Sequence, residues 1–410
     1  MRDMCRQVNV PGGADSKSLL LQDLSLGLFR SDYMVHIDPA KPDAPPSIKQ
    51  VEFNTIASSF GGLSSQVSAL HLHLLSVDAY PSESSSILQT SAMPISESAT
   101  TLAEGLALAH NAYGSSKSGK RTCVLFLVQE PERNVFDQRH LEYALLSSGV
   151  RSFRLPLHRI MQDTKLDSDR TLLYTPPHLP TESFEVTVVY FRSGYGPEEY
   201  RNADDWSARH HLERSRAIKC PSILTHLAGC KKVQQVLATP NSPHLSRFVK
   251  DGETISSLLR TFAPIYPLDK SEAGLDARKL ATDPDTAQRY VLKPQREGGG
   301  NNIYRKAIPD FLKSIPESQW PAHILMEMIE PPAQRNAILR NGEIMKGGVI
   351  GELGVYGVCL WRHLGAFGDT GAILENHKAG YLLRTKGDQS EEGGVAAGFG
   401  AVDSCCLVEV

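Results

Sequence analysis

Between Arg289 and Tyr304 the chain reads RYVLKPQREGGGNNIY, a short apolar strand that delivers Lys293 and then a loop containing Gly298, Gly299 and Gly300. Glycines without Cβ let backbone N–H groups close around phosphate oxygens, and a lysine at the strand end adds a fixed positive charge to the same group. A segment of this kind restricts the chain to folds that build a site over the end of a sheet. The motif GxxxxGK[ST] is absent, so this is not a P-loop, and three adjacent glycines alone describe any flexible turn. Glu297 tips the reading: it lies four residues after Lys293, where a nucleotide-bound magnesium needs a hard oxygen ligand.

With 410 residues, 41% of them hydrophobic and 22% charged, the chain has the composition of a globular protein and the length for two or three domains. A formal net charge of -3 gives no basic footprint for nucleic acid, and no run of eighteen apolar residues offers a membrane span. Seven scattered cysteines without CxxC spacing fit a reducing, cytoplasmic setting. The polar start MRDMCRQVNVPGGADSK lacks the apolar stretch of a secretory signal. Pro39 to Pro46 and the serine-rich run around Pro81 to Ser98 read as loops. The β-rich runs Thr122 to Gln129 and Val186 to Phe191, with a helical stretch Gln138 to Leu146 between them, predict a small α/β domain. The C-terminal part reads as short strands, Tyr290 to Leu292, His323 to Ile329 and Gly347 to Glu352, alternating with glycine-rich loops.

Further constellations accompany the phosphate loop. In KQVEFNTIASSFGG (Lys49 to Gly62), alternation along a strand puts Glu52 and Asn54 on one side and sends Val51 and Phe53 to the core. Glu52, Asn54 and Glu297 can form one metal site; a solvated strand face has the same spacing. In HILMEMIEP (His323 to Pro331) a sheet edge with flanking methionines can read adenine, although such methionines also serve as plain core. YLLRTK places Arg384 and Lys386 on one strand face before the small-residue loop GGVAAGFG (Gly393 to Gly400), which suits a water-excluding lid; an exposed basic strand looks the same. Arg30, Arg192 and Tyr195 are candidates for holding anionic groups, each readable singly as a surface salt bridge. His71 with His73, and His210 with His211, have the wrong spacing for a metal pair on a helix. No G-x-S-x-G is present to support covalent hydrolase chemistry.

The ordered blocks FRSDY, QVEFNTIASSFGGL, PERNVFDQR, VVYFRSGY, LAGCKKVQQ, VLKPQREGGGNN, ILMEMIEP, GELGVYGV, LLRTK and GGVAAG resemble the eukaryotic glutathione synthetase family from Arg30 onward. The resemblance implies an α/β (α+β) ATP-grasp fold with an inserted small α/β substrate-binding domain and glycine-rich lid loops. Its divisions would be 1–120 (first part of the large domain), 121–231 (insert) and 232–410 (ATP-grasp domain with phosphate loop and lid). It further implies a cytosolic homodimer that joins γ-glutamylcysteine to glycine with ATP and Mg2+, through an acyl phosphate.

Carried over by position, the magnesium ligands would be Glu52, Asn54 and Glu297. ATP contacts would come from Glu52, Lys231, Lys293, Pro294, Gln295, Arg296, Glu297, Gly298, Gly299, Gly300, Asn301, Asn302, Tyr304, Met326, Glu327, Met328, Ile329, Glu352, Lys386 and Glu392. Substrate contacts would come from Arg30, Ile56, Ala57, Ser58, Ser59, Glu132, Arg133, Asn134, Gln138, Arg192, Ser193, Gly194, Tyr195, Arg384, Val395 and Ala396. Lys293, Lys386 and Arg384 would carry the catalytic charge. Three departures from the family pattern stand out. Glu392 takes the place of an aspartate, and the turn reads IASS where relatives have ISAS, so only Ser59 keeps its hydroxyl in place. The helical segment that precedes FRSDY in the family is short here, which suggests a truncated start. The alternatives are a β-alanine-using homoglutathione-type ligase and a truncated nucleotide-binding pseudoenzyme.

Overall fold

The computed structural model describes residues 22–82, 86–295, 300–340, 342–363, 371–390, 395 and 400–408. Three sheets organise them. The first is antiparallel, in the order β16 (Gly400–Asp403), β15 (Ala372–Gly387), β14 (Glu343–Arg362), β1 (Leu24–His36) and β2 (Ser47–Asn54), with β13 (Gln334–Arg340) pairing the outer end of β14. The second has the order β4 (Ser152–Pro156), β3 (Thr122–Val128), β7 (Phe184–Phe191), β6 (Leu172–Tyr174) and β5 (Thr164–Leu166), with β8 (Ile218–Cys220) also on β7. The third has the order β11 (Ile303–Tyr304), β10 (Tyr290–Pro294), β12 (His323–Glu327) and β9 (Ile265–Pro267).

The helices of eight residues or more among the described residues are α1 (Gly61–Ser76), α2 (Ser98–Tyr113), α3 (Val135–Ser147), α4 (Ala203–Glu213), α5 (Lys231–Ala238), α6 (Gly252–Thr261), α7 (Glu272–Thr282) and α8 (Ala307–Ser314). None of the described helices is long and apolar enough to cross a membrane.

Burial explains the layering. All eight residues of β7 are buried, and β3 is buried along nearly its whole length, as near-continuous apolar runs between two covered faces require. One face of that sheet joins Leu24, Leu26 and Leu28 of β1 and Leu102 and Leu106 of α2 in a single core. The other face, from Leu125, Leu127, Val189 and Phe191, closes over α4. In the third sheet, Tyr290, Leu292 and Leu325 pack on α7 and α8, while Val291, Ile324 and Met326 face Ala238 of α5 together with Val51 and Met34 of the first sheet. This second core is the joint that sets the third sheet beside β2.

Two sequence expectations change. Gly347 to Glu352 is not a short strand: β14 runs unbroken from Glu343 to Arg362 through Gly347, Gly348, Gly351, Gly354 and Gly357. Its neighbours β1 and β15 supply a ladder along most of its length, and cross-strand pairing outweighs the weak strand preference of glycine. Phe53 does not face the core. It is 37% exposed on β2, the strand that ends the sheet, and lies against Phe29, which in turn stacks on Trp361. Val51, on the same face, meets the third sheet as expected.

Candidate active site

Helix α1 starts without a cap of its own: Phe60, at the N-cap, has φ 73° and offers no side-chain bond. Asp137 in the first turn of α3 fills the need from another layer. Its carboxylate accepts from the N–H groups of Phe60 (2.8 Å), Gly62 (2.7 Å) and Leu63 (3.1 Å), satisfying donors that a helix start leaves open. The approach needs Gly62, since a Cβ there would lie 2.3 Å from the Asp137 carbonyl oxygen. The turn before α1, Ile56 to Ser59, is thereby fixed. Arg192 at the end of β7 donates to Ser58 O (2.9 Å) and Ser59 Oγ (2.8 Å), Arg30 donates to Ser59 O (3.2 Å), and Tyr356 donates to the same oxygen.

This turn forms one side of a cavity of about 1490 Å³ that all three sheets share. The first sheet contributes Arg30, Glu52, Asn54, Glu352, Arg384 and Lys386, and Val395 joins them. The second contributes Arg192, Ser193 and Tyr195, with Glu132, Arg133, Asn134 and Gln138 from the start of α3. From the third come Lys293, Pro294, Tyr304, Met326, Glu327, Met328 and Ile329, with Asn301, Asn302 and, from α5, Lys231. Ile56, Ala57, Ser58 and Ser59 complete the wall.

Of the sequence-predicted residues that are described, Gln295, Gly194 and Gly300 stand outside the wall. Gln295 accepts from the N–H of Lys232 (2.9 Å), and the Gly194 carbonyl accepts from Tyr200 Oη (2.9 Å). Arg296, Glu297, Gly298, Gly299, Glu392 and Ala396 lie outside the described residues.

The electrostatics are closely coupled. Lys231 Nζ lies 2.8 Å from Glu52 Oε2, and Lys293 Nζ donates to Val51 O at 3.1 Å. Burial alone would raise the Glu52 carboxyl, but Lys231, Lys293 and Arg384 together hold it well below the usual carboxylate range. Glu352 moves the other way: burial raises it, Asp32 and Glu52 add to that, and its ion pair with Arg384 only partly offsets them. Arg30 and Arg192 are 5% and 4% exposed, which rules out the surface-salt-bridge reading for both. Arg192 Nε, Ser193 Oγ and Arg384 Nε are buried with no hydrogen-bond partner among the described residues. Buried donors are normally paired, so these three stand out on side chains that line the cavity.

At the hinge, the N–H groups of Glu327 and Met328 are bonded to Pro264 O (2.9 Å) and Arg289 O (2.8 Å), and the Glu327 carboxylate accepts from Tyr266 Oη (2.9 Å). These two backbone donors therefore belong to the protein, and a base seated here would meet the apolar flank of Met326, Met328 and Ile329.

Sequence reasoning missed Asp32 and Asp137. Asp32 is fully buried and binds Arg30 and Arg384. Its position two residues after Arg30, on the same face of one strand, was the available signal.

Comparison with known proteins accords with this geometry. A family model described as "Eukaryotic glutathione synthase, ATP binding domain" matches residues 13–407. The glutathione synthetase large chain of Schizosaccharomyces pombe is 39% identical over 408 residues, covering 97% of this chain and 78% of that protein. The Homo sapiens glutathione synthetase is 40% identical over 390 residues, covering 95% and 76%. Among solved structures, a glutathione synthetase-like effector from Globodera pallida in its apo form superposes with a TM-score of 0.70 at 21% identity, covering 95% of this chain and 78% of that one, which supports the ATP-grasp fold. With a family model matched almost end to end, this chain belongs to the eukaryotic glutathione synthase family.

Proposed function

We propose that this chain catalyses the glutathione synthetase reaction, the ATP-dependent ligation of γ-glutamylcysteine to glycine, giving the tripeptide, ADP and phosphate. The observation that carries the reading is the convergence of Arg30, Arg192, Arg384, Lys231, Lys293 and Lys386 on one cavity whose buried donors Arg192 Nε, Ser193 Oγ and Arg384 Nε are unmet among the described residues. A peptide with two carboxylates and a nucleoside triphosphate are the substrates such a wall suits.

A carboxylate does not acylate an amine at neutral pH, because its oxygen is too poor a leaving group. Transfer of the γ-phosphoryl group to the cysteinyl carboxylate forms an acyl phosphate and releases ADP. The glycine nitrogen then attacks the acyl carbon, the C–O bond to phosphate breaks, and the ammonium proton is lost. Lys293 and Lys386 would offset charge on the transferring group, and Arg384 would hold the carboxylate in line. Arg30 and Arg192, on either side of the Ser58–Ser59 turn, would hold the other anionic end of the dipeptide. The Val395 side of the cavity would keep water from the acyl phosphate.

The donors present also fit magnesium. Asn54 Nδ2 is turned to Asp32 Oδ2 (3.0 Å) and Arg30 O (3.3 Å), which leaves its oxygen to the cavity beside the Glu52 carboxylate. Among the described residues no group of three or more His, Cys, Asp or Glu side chains forms a closed metal cage. Two oxygen donors completed by phosphate oxygens and water are the usual arrangement for this ion. Bound there, it would neutralise phosphate charge during transfer. We place the enzyme in the cytosol, as a homodimer, on the family resemblance and on the lack of any disulfide among the described cysteines.

Coupled ADP release with mass detection of the peptide tests the proposal. ADP should appear only with γ-glutamylcysteine, glycine and magnesium together, and glycine should outperform β-alanine by roughly 10- to 200-fold, the usual worth of one methylene in a fitted pocket. ADP release without a peptide product defeats the proposal, and equal use of β-alanine moves the chain to the homoglutathione reaction.

A further inference from the structure

We propose that Asp32, which does not reach the cavity, is a positioning residue that sets Arg30, Arg384 and Asn54 for dipeptide and metal binding; the inference rests on the ligase reading above. The Asp32 side chain is 0% exposed. Its Oδ1 accepts from Arg30 Nε at 2.6 Å, and its Oδ2 accepts from Arg30 Nη2 (2.8 Å), Arg384 Nη2 (2.8 Å) and Asn54 Nδ2 (3.0 Å). Oδ2 takes three of these donors and Oδ1 one, and with the side chain closed to solvent no ligand reaches the carboxylate. All three partners line the cavity and Asp32 does not, so whatever it contributes to binding passes through them.

The partners need such a post for physical reasons. Two guanidinium groups meet at one point from different strands, Arg30 on β1 and Arg384 on β15, and without an anion between them they would repel and swing apart. The bidentate grip on Arg30 also fixes the plane of its guanidinium, so that Nη1 reaches Ser59 O while the group still faces the cavity. For Asn54 the effect is directional. A carboxylate can only accept, so it draws the amide nitrogen toward itself and leaves the amide oxygen for a cation. An amide at position 32 could donate as well as accept and would no longer dictate that choice.

The fold makes room for this clamp. Gly354 stands directly opposite Asp32 in the β1–β14 register. A Cβ there would lie 2.7 Å from Arg30 Cδ and 2.8 Å from Asp32 Oδ1, while no strained backbone angle calls for glycine. The glycine therefore serves the space, and Gly354→Ala presses on the clamp from a position outside the cavity wall.

The test compares the full chain with Asp32→Asn, Asp32→Glu and Gly354→Ala. Calorimetry measures the Kd of γ-glutamylcysteine, and of ATP with and without magnesium; steady-state kinetics separate KM from kcat, and thermal unfolding checks the fold. Asp32→Asn should raise dipeptide Kd and KM about 10- to 100-fold, as loss of an outer partner commonly does, and raise the magnesium midpoint for ATP binding. Metal-free ATP affinity should stay within about twofold, because the apolar hinge and Lys231 are untouched. Gly354→Ala should shift the same quantities in the same direction, and Asp32→Glu, which keeps the charge, should recover part of the loss.

A folded Asp32→Asn with wild-type dipeptide affinity and magnesium midpoint overturns the inference. So does equal weakening of every ligand, metal-free ATP included, which a merely structural role would produce. Should Asp32→Asn not fold, Gly354→Ala decides by the same criteria. A wild-type chain that makes no tripeptide defeats the ligase reading instead, and the binding measurements still judge Asp32.

Discussion

The two walls of the cavity hold positive charge in different ways. On the first sheet, Arg30 and Arg384 are tied to Asp32 and Glu352, carboxylates that stand in the same ladder of strands. On the third sheet, Lys293 comes off β10 two residues after Val291 and opposite Ile324, both apolar, and rests on the backbone oxygen of Val51. One wall is a network in which each charge positions the next. The other presents its charge from a hydrophobic surface. A group in the network supports fold and function together, whereas Lys293 on the second wall reaches that network through one carboxylate, Glu52, so its removal should weigh more on function than on the fold.

Arg384→Ala is the sharpest test of that contrast and should have the largest effect. It leaves Glu352 and Asp32 short of a buried cation, and breaking a buried pair from one side typically costs about 3–5 kcal/mol of stability. Ligation should fall by at least about 10² through loss of a group aimed at the reacting carboxylate. Both losses should appear, in thermal unfolding and in peptide formation. Wild-type stability in this variant would break the idea of an interlocked wall.

Lys293→Ala comes next. The lysine is 6% exposed, donates to Val51 O and, with Lys231 and Arg384, holds the Glu52 carboxyl down, so its removal replaces a desolvated cation by a methyl group beside that carboxylate. Turnover at saturating ATP should drop by about 10²–10³, as for other single electrostatic donors, with a fall in the thermal midpoint smaller than that of Arg384→Ala. Normal turnover would remove the phosphate grip from this strand.

These two walls were not equally legible in the sequence. On the third sheet the place of Lys293 was legible, because it is local: the apolar strand from Tyr290 carries the lysine directly to the cavity. The same holds for Glu52 and Asn54, which alternation alone puts on one face. What stayed hidden was made by contacts distant in sequence. Asp32 meets Arg384 across 352 positions, and on its own it reads as an ordinary strand acid beside an arginine. Asp137 reads as a helix-surface acid until α1 arrives with its uncapped start. The long β14 was hidden by its glycines, which look like loop residues until two neighbouring strands hold them.

Asp137 sits where the second sheet's layer meets the turn that both walls share, and its removal should have an intermediate effect. Asp137→Asn keeps the shape, but one end of the side chain can no longer accept from the N–H groups that the carboxylate now satisfies. Losing such a cap costs about 0.5–2 kcal/mol, and Arg192, 3.9 Å away, loses a counter-charge as well. The thermal midpoint should fall, and dipeptide KM should rise more than ATP KM, since the turn borders Arg30 and Arg192 rather than the hinge. Equal changes in both would mean that the turn serves the two walls alike.

The smallest expected effect separates two glutamates within the network. The folded carboxyl of Glu52 is depressed, so its ionised form stabilises the fold; that contribution is complete above the unfolded value of about 4.3 and is lost as pH falls through the lower folded value. The carboxyl of Glu352 is raised, so its ionisation opposes folding; the cost is absent in acid and grows as pH rises through the window from about 4.3 to its folded value. At pH 7, therefore, Glu52→Gln should lower stability by on the order of 1 kcal/mol or more, while Glu352→Gln should be neutral or slightly stabilising. At about pH 3 the Glu352→Gln advantage should vanish, and the Glu52→Gln deficit should shrink because the Glu52 carboxyl of the unfolded chain is by then largely protonated while the folded one is still ionised. Because each carboxylate disfavours ionisation of the other, the double variant should differ from the sum of the two, and neighbours of this kind commonly couple by about 0.5–3 kcal/mol. Thermal unfolding of all four proteins across this pH range reads the outcome. If both single variants lost the same stability at every pH, the two glutamates would be interchangeable supports rather than opposed members of one network.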